Sequence, residues 1–254
     1  MSAPPFLDIE GVTVRFGGLV AVNKLSFQVE RGTIHALIGP NGAGKSTTFN
    51  CISRYYQPTS GRIRIQGEDV SDYKPERMAG LGVARTFQNL ELFSDLTVYE
   101  NVLLGCHAHS ANTLKGLLSR PSGETRDLVD SLIERVGLMH DRDTRASELD
   151  FGHQKLLELA RALALKPRLL LLDEPAAGLR NHDIEGLNRL LTELTQRDGI
   201  TVLLVEHVMQ LVMAVSHRIT VMSFGEKIAE GTPQEIGQDP LVIEAYLGKG
   251  AAHA

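Results

Sequence analysis

Short, almost fully apolar runs bounded by turn residues are the clearest pattern in the chain. Such runs predict strands that are buried on both faces, as in a mostly parallel sheet. They lie at Ile34–Ile38, Leu169–Leu172 and Ile200–Val205. Long segments with apolar residues at helical spacing separate them, including Asn181–Gln196. The pattern therefore predicts an α/β fold built on a mostly parallel sheet.

Before the first of these runs, the chain has the pattern of an antiparallel sheet. Alternating apolar and polar residues occur at Leu7–Glu10, Val12–Phe16 and Leu25–Val29, with glycine-containing turns after the second and third segments. Gly61–Gly67 alternates in the same way and predicts a strand at an exposed edge. We expect an antiparallel β edge beside the parallel sheet.

Strand signals disappear between residues 97 and 166. Apolar residues recur there at helical spacing over Val98–Leu104, Glu124–Val136 and Lys155–Leu165. We interpret residues 97–166 as an α-helical subdomain inserted into a single domain that spans residues 1–254.

Composition and charge narrow the class of protein. The chain has 254 residues, 43% of them hydrophobic, and a formal net charge of −5. This balance gives no electrostatic reason to expect nucleic acid as a partner.

The amino terminus lacks the pattern of a signal peptide, and no apolar run approaches the roughly 18 residues of a membrane span. We expect a cytoplasmic protein.

The segment Gly39–Ser46 matches the phosphate-binding pattern GxxxxGK[ST] at every fixed position. It follows a predicted strand and precedes a predicted helix over Thr47–Ser53, a context in which backbone N–H groups surround an anion. We therefore expect the α/β fold to have a P-loop NTPase core. Lys45 is expected to reach the β- and γ-phosphates of a nucleotide, and the Ser46 hydroxyl to ligate Mg²⁺. The residues expected to bind the nucleotide here are Gly39, Asn41, Gly42, Gly44, Lys45, Ser46 and Thr47.

Polar side chains stand at the ends of further predicted strands. Asp173 and Glu174 follow the run of leucines, His207 closely follows the next buried strand, and Gln88 ends a short strand. Carboxyl ends of parallel strands share one edge of a sheet, so we expect these groups beside the phosphate loop. From the requirements of phosphoryl transfer, we expect Asp173 and Gln88 to bind Mg²⁺ or its water shell. We expect Glu174 to act as the general base that activates the attacking water. Gln88 could also sense that water, and His207 would donate a hydrogen bond to the γ-phosphate.

Phe16 lies shortly before the phosphate loop. An aromatic side chain in such a place can stack on an adenine ring. A single phenylalanine at the end of a strand is also a common core residue. The sequence leaves both interpretations open.

In this order, the motifs resemble those of the ATP-binding subunits of ABC transporters over nearly the whole chain. Leu149–Gln154 and the helix after it fall where that family has its signature motif. The resemblance implies ATP and Mg²⁺ as ligands, and a head-to-tail dimer in which the signature of one chain completes the ATP site of the other. The signature residues are Asp150, Phe151, Gly152 and His153.

Five shorter segments narrow the resemblance to the ATPases of high-affinity importers for branched-chain amino acids. They are Phe16–Gly18, Ala84–Asn89, Glu174–Leu179, Val205–Val208 and Asp239–Gly248. ATPases of urea or amide importers and of lipopolysaccharide exporters share parts of this pattern. A non-transport ABC ATPase of iron–sulfur cluster assembly would share the catalytic motifs.

The resemblance also implies partners. Transmembrane permease subunits would hold the chain at the inner face of the cell membrane, a periplasmic solute-binding protein would take part indirectly, and the second ATPase would be an identical chain or a paralogue. In this family, the region Gln88–Asn101 receives the permease, and Asn89, Leu92 and Phe93 are candidates for exposed contacts. The apolar ones can instead pack against the helical subdomain.

Four residues depart from the family pattern: Arg180, and within the signature Asp150, Phe151 and His153, which replace Ser, Gly and Gln. The common signature is Leu-Ser-Gly-Gly-Gln, and Asp150 would bring a carboxylate towards the γ-phosphate, which is repulsive. We hypothesise that Asp150 instead caps the helix that starts near Phe151, so that the Gly152 and His153 amides meet the phosphate. Arg180 stands where the family usually has Asp or Asn.

Overall fold

The computed structural model describes residues 4–87, 90–107 and 121–247, so Gln88 and Asn89 lie outside the described residues. A six-stranded sheet forms the centre of the molecule. Its strands, in spatial order, are β10 (Glu226–Gly231), β9 (Arg218–Ser223), β3 (Ile34–Ile38), β8 (Thr201–Val205), β7 (Leu169–Asp173) and β6 (Val83–Arg85). All neighbours are parallel except β9 and β10. The predicted parallel sheet is confirmed.

A second, four-stranded sheet is antiparallel, as predicted. Its order is β2 (Leu19–Val29), β1 (Leu7–Phe16), β4 (Ser60–Ile65) and β5 (Glu68–Asp69). The two short strands predicted before Phe16 are one strand, because the register shifts between Ile9 and Val12 and the chain continues through Gly11 with φ 59°. The prediction of β4 as an exposed edge is wrong at the end of the strand, where the two-residue strand β5 pairs with Arg64 and Ile65.

Nine helices accompany the sheets in the described residues. They are α1 (Lys45–Ile52), α2 (Pro75–Gly80), α3 (Val98–His107), α4 (Gly123–Arg135), α5 (Phe151–Ala164), α6 (Asn181–Gln196), α7 (Met209–Val215), α8 (Pro233–Gln238) and α9 (Pro240–Leu247). The described part of 97–166 holds α3, α4 and α5, two 3₁₀ turns and one isolated bridge between Thr97 and Arg145. The helices predicted there are confirmed. In the parts of the chain described here, none of the helices is long and apolar enough to cross a membrane.

The central sheet is buried on both faces, and alternate residues of its strands pack on different layers. Leu170 and Leu204 belong to a core cluster that includes Leu157 of α5. Leu171 and Leu203 belong to a second cluster, with Phe49 of α1 and residues of the antiparallel sheet. The carboxyl ends of β3, β7 and β8 therefore emerge together between these two layers, and the candidate site lies there.

Candidate functional site

The phosphate loop connects β3 to α1 and packs tightly against its neighbours. Gly44 precedes α1 with φ 101°, and a Cβ there would lie 2.6 Å from the Ala21 carbonyl oxygen. Gly39 has φ 152°, and a Cβ there would lie 2.1 Å from the Met222 carbonyl oxygen. Both glycines are required by backbone conformation and by close packing, before any ligand is considered.

Lys45 bends back over this loop. Its Nζ donates to the carbonyl oxygens of Gly39 at 2.7 Å and Pro40 at 3.0 Å. Burial lowers the pKa of Lys45, and the carboxylates of Glu174 and Asp173 oppose that shift. The ammonium group is thus held between the loop and two acidic residues, where a bound phosphate could replace the carbonyl oxygens.

A cavity of about 630 Å³ opens beside the loop. Its lining includes Phe16, Leu19, Glu174 and Phe224 as well as the loop itself. Six of the seven predicted loop residues take part: Asn41, Gly42, Gly44, Lys45, Ser46 and Thr47. Gly39 is not among the lining residues, because it is turned towards Met222.

Phe16 is 46% exposed at the end of β1, and its ring meets the edge of Tyr56 at a centroid distance of 5.3 Å. The core interpretation of Phe16 is therefore wrong. The strand ends at the Gly17–Gly18 turn, which leaves the ring outside the sheet and at the mouth of the cavity. An exposed aromatic face beside a phosphate loop is suited to a purine ring.

Asp173 ends β7 with its side chain only 2% exposed. Its Oδ2 lies 3.5 Å from Arg85 Nη2, whereas its Oδ1 has no hydrogen-bond partner among the described residues. Burial raises the pKa of Asp173, Arg85 opposes this shift, and Glu174 adds to it. A buried carboxylate oxygen without a partner fits a cation or its water shell.

Arg85 was missed by the sequence reasoning. Its Nη1 donates to Asn50 Oδ1 and to Ser53 Oγ, both at 2.7 Å, so Arg85 joins α1 to the Asp173 carboxylate. Burial lowers the pKa of Arg85, and Asp173 opposes that shift. The only feature of the sequence that could have identified Arg85 is a positive charge within a short, otherwise apolar strand.

Glu174 and His207 are brought together, as predicted. Glu174 Oε1 lies 3.8 Å from His207 Nδ1, and the imidazole is 64% exposed. The backbone of Glu174 has φ 52°, which is unusual for a residue with a side chain. Its N–H donates to the Val205 carbonyl oxygen at 2.8 Å, which ties the end of β7 to the end of β8.

The sequence reasoning also missed Glu206, a buried residue that bonds to the backbone of both loops that carry Glu174 and His207. It is 1% exposed, and it accepts backbone N–H bonds from Ala176, His207 and Val208 at 2.8, 2.7 and 2.9 Å respectively. The available signal was a glutamate between a buried strand and a site histidine.

The signature residues start α5. Asp150 is the N-cap of this helix, and its Oδ1 accepts the His153 N–H at 2.9 Å, which confirms that Asp150 caps the helix. The expectation that the His153 amide meets a phosphate is wrong, because the cap already uses this N–H. Phe151 is 49% exposed. A Cβ on Gly152 would lie 2.8 Å from the Gly178 carbonyl oxygen, so the signature packs against the loop that follows Glu174. None of the four signature residues lines the cavity around the phosphate loop of the same chain.

Two side chains of helix α5 also bond to the backbone of Phe87, the residue before Gln88. Lys155 Nζ donates to the Phe87 carbonyl oxygen at 2.7 Å, and the Phe87 N–H donates to Glu158 Oε1 at 2.9 Å. Both charged side chains are 2% exposed. Burial raises the pKa of Glu158, and the Phe87 N–H and Lys155 oppose that shift. Strand β6 ends at Arg85, so the prediction of a strand that ends at Gln88 is wrong. Gln88 itself lies outside the described residues.

In the described part of the proposed docking region, Phe93 is 54% exposed and Leu92 is partly buried against the helical cluster. Asn101 is fully buried. Its side chain bonds to both the N–H and the carbonyl oxygen of Phe93, at 3.0 Å each. Asn101 therefore shapes this segment from within, and only Phe93 of the two described candidates is well exposed.

Two family models match the chain. Residues 22–177 match the model described as ABC transporter, and residues 226–252 match that of the branched-chain amino acid ATP-binding cassette transporter. The chain is 43% identical over 251 residues to the high-affinity branched-chain amino acid transport ATP-binding protein BraF of Pseudomonas aeruginosa, covering 96% of this chain and 98% of BraF. It is 42% identical to LivG of Escherichia coli over the same shares.

Solved structures agree with these sequence matches. A nucleotide-free ATP-binding cassette from an ABC transporter has a TM-score of 0.84 at 31% identity, covering 96% of this chain and 100% of that one. The ADP conformation of the cassette MJ1267 has a TM-score of 0.83 at 32% identity, with coverages of 96% and 99%. A dimeric cassette, MJ0796 bound to ADP and Pi, has a TM-score of 0.78 at 26% identity, with coverages of 89% and 98%.

Proposed function

Because the chain belongs to the ABC transporter family of ATP-binding proteins, we propose that it is the ATP-hydrolysing subunit of an importer for branched-chain amino acids. The observation that carries the ATPase activity is the meeting of the phosphate loop, Asp173, Glu174 and His207 at one sheet edge. The likeness to BraF and LivG along 96% of the chain supports the choice of solute. The match of residues 226–252 to a branched-chain model supports it further.

ATP binds with its phosphates in the loop and its adenine ring against Phe16. The loop N–H groups and the start of α1 supply positive potential, and Lys45 moves from the Gly39 and Pro40 carbonyl oxygens to the β- and γ-phosphates. The open face of Phe16 stacks on the purine.

The donor set fits Mg²⁺. Asp173 Oδ1 is a hard, buried oxygen with no other partner among the described residues, and the Ser46 hydroxyl stands at the start of α1. We assign Ser46 and Asp173 to the cation, together with Gln88. When bound, Mg²⁺ supplies charge neutralisation for the phosphate oxygens. Arg85 keeps the other oxygen of Asp173 engaged, which orients the carboxylate.

Glu174 and His207 perform the hydrolysis. The Glu174 carboxylate accepts a proton from a water molecule, whose oxygen attacks the γ-phosphorus while the bond to the β-phosphate oxygen breaks. His207 donates to a γ-phosphate oxygen and holds the transferred group in line. The separation of 3.8 Å between Glu174 Oε1 and His207 Nδ1 allows both to reach the same group.

A head-to-tail dimer completes each site. The signature residues of this chain do not line its own nucleotide cavity, which is consistent with a role in the site of a second ATPase, identical or paralogous. The capped start of α5 presents the Gly152 amide to the γ-phosphate there, while the His153 N–H is held by Asp150 Oδ1. We further propose that residues 97–166 form a subdomain that carries this signature.

Permease subunits hold the chain at the inner face of the cell membrane, and the solute-binding protein acts through them. The exposed Phe93 and the segment around it, within Gln88–Asn101, form the docking surface. Asn101 fixes the backbone on both sides of this segment through its bonds to Phe93 and to the Leu96 and Thr97 carbonyl oxygens.

Purification of the tagged chain from its native membranes in mild detergent tests this function, with mass spectrometry of the associated proteins. We expect permease subunits and a solute-binding component, and ATP-dependent uptake of leucine, isoleucine or valine once the complex is reconstituted into vesicles. Uptake should stop with Glu174→Gln. Recovery of soluble assembly factors alone would contradict the transport role, and uptake of another solute would contradict the choice of amino acid.

A further inference from the structure

Glu206 is a buried carboxylate in an unusual setting. Among the described residues, the one basic side chain paired with it is His207, whose Nδ1 lies 3.6 Å from Glu206 Oε2. A buried charge is stable only if other polar groups replace its water. Backbone N–H groups do so here: that of Ala176 on Oε1, and those of His207 and Val208 on Oε2.

These N–H groups belong to the two loops that carry the reacting side chains. Ala176 lies in the loop of Glu174, and Val208 follows His207 in the turn after β8. The Glu174 N–H is held by the Val205 carbonyl oxygen at 2.8 Å. Glu174 has φ 52°, a strained conformation that persists only where its surroundings hold it. Two hydrogen bonds hold it here: the one from the Glu174 N–H to Val205 and the one from the Ala176 N–H to Glu206.

We propose that Glu206 is a positioning residue that sets the distance between Glu174 and His207, an inference that rests on the proposed ATP hydrolysis. Its two oxygens fix one loop each, while both reacting side chains remain accessible, at 26% for Glu174 and 64% for His207. A displacement of about 1 Å between reacting groups can lower a rate on the order of 100-fold. One buried carboxylate therefore aligns the general base, Glu174, with His207, which donates a hydrogen bond to the γ-phosphate.

The alternative is that Glu206 only satisfies buried N–H groups, in which case its loss lowers stability without a specific effect on turnover. Glu206→Gln separates the two, because the side chain keeps its shape while one acceptor oxygen becomes an NH₂ group. Either the Ala176 bond or the pair of bonds to His207 and Val208 is then lost. Glu206→Asp keeps the charge but is too short to reach both loops, and it serves if the amide variant fails to fold.

The experiment measures steady-state ATPase activity of the full chain, with kcat and KM determined separately, and hydrogen exchange of the backbone amides. For both variants we expect kcat to fall by roughly 10- to 100-fold with KM for MgATP unchanged. Exchange at Ala176, or at His207 and Val208, should become faster.

Leu190→Ala is the control, since Leu190 is buried in the core around α6 and its loss lowers stability without touching the loops. Unchanged kcat in the Glu206 variants, or a loss no greater than in Leu190→Ala at equal destabilisation, would overturn the inference. If the wild-type chain lacked ATPase activity, the proposed function would fail instead. Faster exchange at Ala176, or at His207 and Val208, in Glu206→Gln would still decide whether Glu206 fixes the loops.

Discussion

Asp150 Oδ1 accepts the His153 N–H at 2.9 Å, so the residue that replaces the serine of the common family signature is the N-cap of the signature helix. The carboxylate satisfies one of the N–H groups that a helix leaves unpaired at its start. The Asp150 side chain is 53% exposed, and the positive N-terminal end of the helix dipole stabilises its negative charge.

Asp150→Ser should therefore preserve the cap and remove a negative charge from the surface that faces the γ-phosphate. We expect ATPase activity equal to or above that of the wild type, and a change in the free energy of unfolding below about 1 kcal/mol. Asp150→Ala is the matched control, which should cost about 1 kcal/mol through loss of the cap. Steady-state turnover and urea unfolding measure both, and a large loss of activity in Asp150→Ser would show that the carboxylate does more than cap the helix.

Glu174→Gln should abolish turnover while ATP still binds and the ATP-dependent dimer persists. The amide keeps the shape of the side chain but cannot accept the proton from water, so kcat should fall by several orders of magnitude. Single-turnover hydrolysis, nucleotide binding and gel filtration with ATP measure these three properties. Glu185→Gln, an exposed carboxylate on α6, is the matched control. Unchanged turnover in Glu174→Gln would remove Glu174 as the base.

Phe16→Ala should weaken the binding of ATP through loss of stacking on the adenine ring. Base stacking on an aromatic side chain contributes about 1 to 3 kcal/mol, so the Kd should rise roughly fivefold to 150-fold. Titration calorimetry with ATP measures the effect. Inorganic triphosphate is the control ligand, because it has the phosphates but no purine. An equal loss of affinity for both ligands would show that Phe16 supports the loop and does not bind the base.

Lys155→Met should destabilise the fold by about 3 kcal/mol, because it leaves the buried Glu158 carboxylate without its cation at 3.8 Å and the Phe87 carbonyl oxygen without its donor. The double variant Lys155→Met, Glu158→Gln should recover part of this loss, since the uncompensated charge is removed. Urea unfolding of the two single variants and the double variant completes the cycle. Strictly additive effects would argue against coupling between the two side chains.

His35 predicts a pH dependence of stability. It is buried, bonds to Thr220 Oγ1 through Nε2 at 2.8 Å and stacks on Phe27. Burial lowers the pKa of His35 from 6.5 to about 4, although Glu230 partly opposes this. Above pH 6.5 the ring is neutral in both states. As the pH falls from 6.5 towards 4, only the unfolded chain binds the proton, so stability is lost in that window.

The loss from this residue should approach roughly 3 kcal/mol at pH 4. Urea unfolding of the wild type and of His35→Gln between pH 7.5 and pH 4 measures it, with the difference between the two curves as the readout. The variant has no titrating ring, so its stability should fall less steeply. Parallel curves would exclude His35 as the source.

Much of the fold could be predicted because its strands are coded by contiguous residues. The bounds of β3 and α6 were predicted correctly at both ends, since β3 is buried on both faces and α6 carries a continuous apolar stripe. The errors lie where pairing decides the outcome. The bulge at Gly11 joins two predicted strands into β1, and β5 covers β4 with only two residues.

The sequence by itself determined the chemistry that resides in short contiguous motifs. The phosphate loop, the Asp173–Glu174 pair and His207 could be identified because glycine conformation, buried strands and strand ends are local properties. The Asp150 cap is equally local, since it joins positions three residues apart.

Only the tertiary structure decided which residues hold that chemistry in place. Glu206 bonds to Ala176 across 30 positions, Lys155 to Phe87 across 68, and Arg85 to Asp173 across 88. Each of these side chains fits a local pattern that gives no reason to single it out. Its partner is set by how the parallel strands and α5 pack, because the cost of a buried charge is met only by groups that folding brings within hydrogen-bond distance.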